Sequence, residues 1–183
     1  VVISRIYFST YYLRLNLKFD YSNMRFTYKK LLLFILFLTS SSILAAQEKL
    51  TLYYKNGTVK AEGLSKNGIK TGIWLFYFPN GKINSEENYV AGNLHGEIRY
   101  FYETGELMAH ELWEAGLQQD SAKYYFANGR TEKKGIYKDG LYDGLWLFYY
   151  DNGKLKRRGP YADGLPNGHW QFYNENGYLI QEG

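Results

Sequence analysis

The stretch WLFYFPNG, Trp74 to Gly81, recurs down the chain in altered copies at one fixed interval. Its closing glycine returns at Gly57, Gly81, Gly105, Gly129, Gly153 and Gly177, each 24 positions after the last, with no insertion or deletion. Other columns keep the same step. An aromatic row runs Tyr53, Tyr77, Phe101, Tyr125, Tyr149, Tyr173, and the next column reads Tyr54, Phe78, Tyr102, Phe126, Tyr150 before breaking at Asn174. A second glycine series falls at Gly68, Gly92, Gly116, Gly140 and Gly164, and a third at Gly72, Gly96, Gly144 and Gly168, where Asp120 departs. A period of this size is the mark of a repeat architecture, in which apolar surface is buried between neighbouring units.

Within one unit the segment before the turn alternates. Trp74, Phe76 and Phe78 point one way, and Ile73, Leu75 and Tyr77 the other. The first set stays apolar or aromatic in other units, as in Trp146, Phe148, Tyr150 and in Trp170, Phe172. The middle position of the second set drifts through Thr51, Leu75, Arg99, Lys123, Leu147 and Gln171. One face is therefore expected to be packed and the other solvated. Asn-Gly at 56-57, 80-81, 128-129, 152-153 and 176-177, replaced once by Thr104-Gly105, supplies the positive φ angles that hairpin turns need. Shorter turn signals, KNG, VAG, EAG, KDG and ADG, send each returning strand into the next unit. The fold class expected is all-β: an elongated single-layer antiparallel sheet of about six tandem β-hairpin repeats. It should hold about eleven strands and extend some ~50 Å at ~4.8 Å per strand.

The pattern GxWxFYxxNGxLxxxGxYxxG is carried by GIWLFYFPNGKINSEENYVAG (72 to 92), GLWLFYYDNGKLKRRGPYADG (144 to 164) and GHWQFYNENGYLIQEG (168 to 183). It resembles the bacterial variant of the MORN repeat, often labelled the antitoxin component of a toxin–antitoxin module, and the resemblance covers residues 50 to 183. Unit 3 departs at Ile98, Thr104 and Glu111, and unit 4 at Ala122. The resemblance implies an extended, curved antiparallel sheet that serves as an interaction surface, often dimeric or bound to a partner along its groove, and it does not imply an enzyme.

Ahead of the repeats, Met24 opens MRFTYKKLLLFILFLTSSSILAAQEK, with Arg25, Lys29 and Lys30, an apolar run from Leu31 to Leu38, and small residues ending at Ala45 and Ala46. That is the order of a secretory signal peptide. Leu31 to Ala46 is 16 residues, short of the ~20 a membrane-spanning helix needs. The organisation expected is an upstream extension at 1–23, a signal peptide at 24–46 cut near Ala46, and the repeat array at 47–183. The mature protein is then exported to the periplasm, the outer membrane or the exterior. An antitoxin meets its toxin in the cytosol, so export and that label pull in opposite directions.

The formal charge of +4 belongs to the leader. Residues 1–46 hold six basic side chains and one acidic, and 47–183 hold 16 basic and 17 acidic, so no nucleic-acid partner is expected. Within the array, residues 74–121 carry 2 basic and 8 acidic side chains, net −6, and 122–169 carry 9 and 5, net +4. This polarity is suited to orienting a partner or a second copy, and it predicts salt-sensitive binding.

No cysteine is present, and His95, His110 and His169 occupy three different columns without metal-ligand spacing. No nucleophile elbow or phosphate loop occurs. Neither catalytic residues nor a cofactor is expected. The function read from the sequence is a non-enzymatic scaffold binding another protein at the envelope or outside the cell, with a homodimer in view. The candidate contact residues are the row Tyr53, Tyr77, Phe101, Tyr125, Tyr149 and Tyr173 and a basic stripe of Lys134, Lys154, Lys156 and Arg158. The same row and stripe would serve one alternative, a polysaccharide or anionic lipid headgroup binder; a further alternative is an antitoxin-type neutraliser of a partner protein.

Overall fold

The computed structural model describes residues 46–183. The expectations for an upstream extension at 1–23 and a signal segment at 24–46 lie outside the described residues, except for Ala46. The array is one antiparallel sheet with its strands in chain order: β1 Glu48–Tyr53, β2 Val59–Lys66, β3 Ile69–Tyr77, β4 Ile83–Val90, β6 Gly96–Phe101, β7 Leu107–Glu114, β8 Leu117–Tyr125, β9 Thr131–Lys138, β10 Leu141–Tyr149, β11 Leu155–Ala162, β13 Gln171–Tyr173 and β14 Leu179–Glu182. Two short pieces, β5 Asn93–Leu94 and β12 Leu165–Pro166, pair with β4 and β11 and bring the sheet to 14 strands, against about eleven expected. Two of the extra pieces arise because the strands that enter units 3 and 6 are each split in two, and the third because unit 6 completes its hairpin with β13 and β14.

The two turns of each unit differ in kind, and here the sequence expectation is corrected. At the Asn-Gly turn only the glycine has positive φ, 85° at Gly57 and 83° at Gly81. Gly57 N–H donates to Tyr54 O (3.0 Å) and Tyr54 N–H to Thr58 O (2.8 Å), the pattern of a type I turn closed by a left-handed glycine. Asparagine serves instead as an acceptor: Asn80 Oδ1 takes Lys82 N–H at 3.0 Å and Asn152 Oδ1 takes Lys154 N–H at 2.9 Å. The tight two-residue turns with both φ positive are the second ones, Asn67-Gly68 (53°, 76°), Ala91-Gly92 (49°, 83°), Ala115-Gly116 (50°, 87°), Asp139-Gly140 (51°, 79°) and Asp163-Gly164 (50°, 79°).

The third glycine series makes no turn. It sits at register shifts, as between Gly63↔Trp74 and Leu64↔Thr71, where Gly72 (φ 65°) and Ile73 are extra on β3. Asp120 holds the same left-handed conformation at φ 63°, so the one departure in the sequence keeps the bulge. A second shift recurs near the hairpin turn, between Phe76/Tyr77, Tyr100/Phe101, Tyr124/Tyr125, Phe148/Tyr149 and Phe172/Tyr173.

A single layer has no second sheet to cover it, so burial comes from side chains lying flat along their own face. Trp74 and Trp146 are fully buried in this way. Their partners on the neighbouring strand, Gly63 and Gly135, leave room for the ring: a Cβ on Gly135 would stand 2.3 Å from the Trp146 indole. Trp146 stacks on Tyr142 (3.9 Å, 18°) and meets Tyr137 edge-on (5.2 Å, 82°); Tyr161 meets Trp170 the same way (5.1 Å, 87°).

Candidate functional site

The tryptophan face forms a groove whose chemistry changes along the array. In units 1, 4 and 5 the strand preceding a tryptophan carries glycine, at Gly63/Trp74, Gly135/Trp146 and Gly159/Trp170. Where the large ring is absent the glycine is replaced by a carboxylate, Glu87 before Ile98 and Glu111 before Ala122. The volume given up by the indole is filled by an acid and its partners. Glu111 is buried, accepting from Trp113 Nε1 (2.8 Å) and from the Tyr124 hydroxyl, which also bonds Tyr137 (2.9 Å). Glu87 accepts from Ser85 Oγ (2.8 Å) and from the Tyr89 hydroxyl. Burial holds the Tyr89, Tyr100 and Tyr124 phenols above their ordinary range, reinforced by the neighbouring carboxylates. These departures were visible in the sequence singly; the signal that joins them is two columns read 11 residues apart.

Toward the C-terminal side the groove turns basic. Lys133 Nζ donates to the Tyr142 hydroxyl (2.7 Å) and lies 4.1 Å from the centre of the Tyr124 ring. Arg157 stacks 4.2 Å over Phe148, with neither a hydrogen bond nor an ion pair among the described residues. Both line a depression of about 650 Å³ with Phe126, Tyr142, Phe148, Tyr161 and Phe172. Glu132 is the one carboxylate in that wall, against Lys133, Lys156 and Arg157.

Of the sequence candidates, Tyr149, Tyr173 and Lys156 line this same depression. The aromatic row as a whole is not an open ladder of rings. Only Tyr53, at the first strand, is well exposed (61%); Tyr77, Phe101, Tyr125, Tyr149 and Tyr173 are half-buried. Tyr77 donates to Glu62 Oε1 (2.8 Å), and burial together with that carboxylate pushes its phenol up to about 12. Tyr173 donates to Gln171 Oε1 (3.0 Å), and Lys123 lies 4.9 Å over Tyr125.

The basic stripe separates into parts. Lys134 and Arg158 share one cross-strand row on the face opposite the tryptophans, on either side of Leu147. Lys154 belongs to the hairpin turn, its Nζ on Asn176 O (2.8 Å), and Lys156 lies 5.3 Å over Tyr150. As expected of adjacent strand positions, Glu86 and Glu87 face opposite sides, Glu86 paired with Arg99 and Glu87 turned to the groove. His110 lies 3.6 Å from Glu97 and His169 3.3 Å from Glu182. Among the described residues no three acids and histidines gather as a metal site.

The family model of the MORN repeat variant matches residues 70–91, 94–114 and 142–163. No curated protein matches the chain. Among solved structures 33 chains match. One, described as "Crystal structure of GtfA/B complex bound to UDP and GlcNAc", is 8% identical over 78% of this chain, with a TM-score of 0.24. This chain spans 25% of that chain's length, and a likeness at that score carries no argument. On the matched segments and the continuous hairpin sheet that contains them, the units of this chain are repeats of the MORN variant family, a non-enzymatic class of repeat that commonly binds proteins or membranes.

Proposed function

We propose that this chain is an exported, non-enzymatic scaffold whose groove face receives a partner protein at the cell envelope or outside the cell. The observation that carries this reading is Arg157. It is a guanidinium with five N–H donors, held against Phe148 in an aromatic-walled depression and left without a partner among the described residues. Half-buried aromatic rings around an arginine are the composition of a protein-binding hot spot. Export rests on the order of charges and apolar residues from Met24 to Ala46.

A second reading, an acidic polysaccharide or anionic lipid headgroup, is supported by the convergence of Lys133, Lys156 and Arg157 on one wall. The two separate by competition. The experiment is to recover the protein from its host, determine its first residue and cell fraction, and capture its partner with native protein and with Arg157→Ser. A start near Gln47 in an extracytoplasmic fraction, with a captured protein lost in the variant, is the expected result. Release of that partner by soluble acidic polysaccharide or by anionic vesicles favours the second reading. A cytosolic protein with its leader intact overturns export and turns the captured protein into a candidate neutralised toxin.

A further inference from the structure

The face opposite the tryptophans carries one continuous cross-strand row, Glu62–Leu75–Glu86–Arg99–His110–Lys123–Lys134–Leu147–Arg158. Lys123 and Lys134 stand directly opposite each other in this row, and neither has an ion-pair partner among the described residues. Like charges at facing positions of neighbouring strands destabilise a sheet, so an isolated copy carries an uncompensated repulsion there. The two lysines border a depression of about 370 Å³ with Ile136 and Leu147. A second depression of about 290 Å³ on the same face is bordered by Ile73, Glu86, Glu97 and Arg99; Arg99 pairs with Glu86, so the two carboxylates still outnumber the one cation there.

The apolar rims match as well. Ile73 and Leu145 occupy the same column three units apart, and both project into solvent, 68% and 51% exposed; Leu64 and Ile136 form a second such pair. Ile73 lines the acidic depression and Ile136 the basic one.

We infer that this face binds a second copy of the chain. The two copies are related by a two-fold axis that sets the Lys123–Lys134 depression of each against the Glu86–Glu97 depression of the other. A two-fold contact uses one patch on both partners, so it requires a surface complementary to itself, which opposite charges beside equal apolar rims provide. The same contact neutralises the facing lysines. It leaves the tryptophan groove open, so it stands or falls separately from the partner reading above.

The test is sedimentation velocity of the intact protein over a micromolar concentration series. A dimer is expected, with a dissociation constant that rises roughly tenfold or more between ~0.05 M and ~0.5 M salt. Lys123→Glu/Lys134→Glu makes both depressions acidic and Glu86→Lys/Glu97→Lys makes both basic, so each variant alone is expected to be monomeric. Mixed in equal amounts they should form a heterodimer, which also shows that each variant is folded. A wild-type chain that stays monomeric, a dimer that survives either charge reversal, or a mixture that does not associate overturns the assignment.

Discussion

Gly135 lacks a side chain because Trp146 lies across it, and the same holds at Gly63 and Gly159. Gly135→Ala is expected to destabilise the array by ~1–3 kcal/mol in urea denaturation, since the added Cβ would overlap an indole that is fully buried. Gly135→Glu should cost more, and combining it with Trp146→Ala should cost less than the two single changes summed, because the pair then repeats Glu111 and Ala122. Strict additivity in that double-mutant cycle would contradict the volume argument. Ala115, held at φ 50°, is a site for improvement: Ala115→Gly should raise stability by about 1 kcal/mol, read as a higher melting temperature. The glycine columns were legible from their period. So were the two series that turn the chain; which glycines bulge it and which make room for a ring was not, since those roles depend on a residue one strand away.

At the scale of the hairpin, the units are joined through their turns as well as their strands. Tyr54, Tyr102 and Tyr150 each donate to a backbone carbonyl of the following unit, at Tyr77 (2.7 Å), Tyr125 (2.7 Å) and Tyr173 (2.9 Å). Asn128 and Asn152 reach Asp151 O and Glu175 O, both at 3.0 Å. Tyr102→Phe should therefore cost about 0.5–1.5 kcal/mol while leaving the strands in register, as seen by urea denaturation beside circular dichroism. The aromatic row was legible as a row, but its exposure was not. The bulge beside each row residue and the neighbouring strands half-bury five of the six rings.

The buried phenols set an alkaline limit. Tyr89, Tyr100, Tyr124 and Tyr137 have folded-state values raised by burial above 10.0, so the folded state holds their protons longer than the unfolded chain does. Their stabilising contribution is complete below pH 10.0 and is lost as the pH rises through the higher folded values. Phenolate absorbance from these rings should appear together with loss of the sheet's circular dichroism. Titration of all tyrosines at the ordinary value, with the sheet intact, would count against this.

For the whole array, each unit contacts only its neighbours, so stability is close to a sum of units and junctions, and a unit can in principle be removed. Removal of residues 93–116 joins Gly92 to Leu117 and sets Glu87 before Ala122, a pairing of acid with small residue that the groove already contains. Removal of 117–140 joins Gly116 to Leu141 and drives Glu111 under Trp146. The first deletion is expected to melt cooperatively near the parent temperature and the second to lose cooperative melting; equal behaviour would show that the junctions are interchangeable. The period and the face that packs were legible in the sequence, whereas this inequality of junctions was not. It follows that a lineage lengthening such a gene by in-frame duplication is not free to copy any unit. A crossover that sets a carboxylate on the strand preceding an indole, where Gly63, Gly135 and Gly159 now stand, is expected to lose cooperative folding, so the two kinds of junction act as a reading rule for how the gene grows or shrinks.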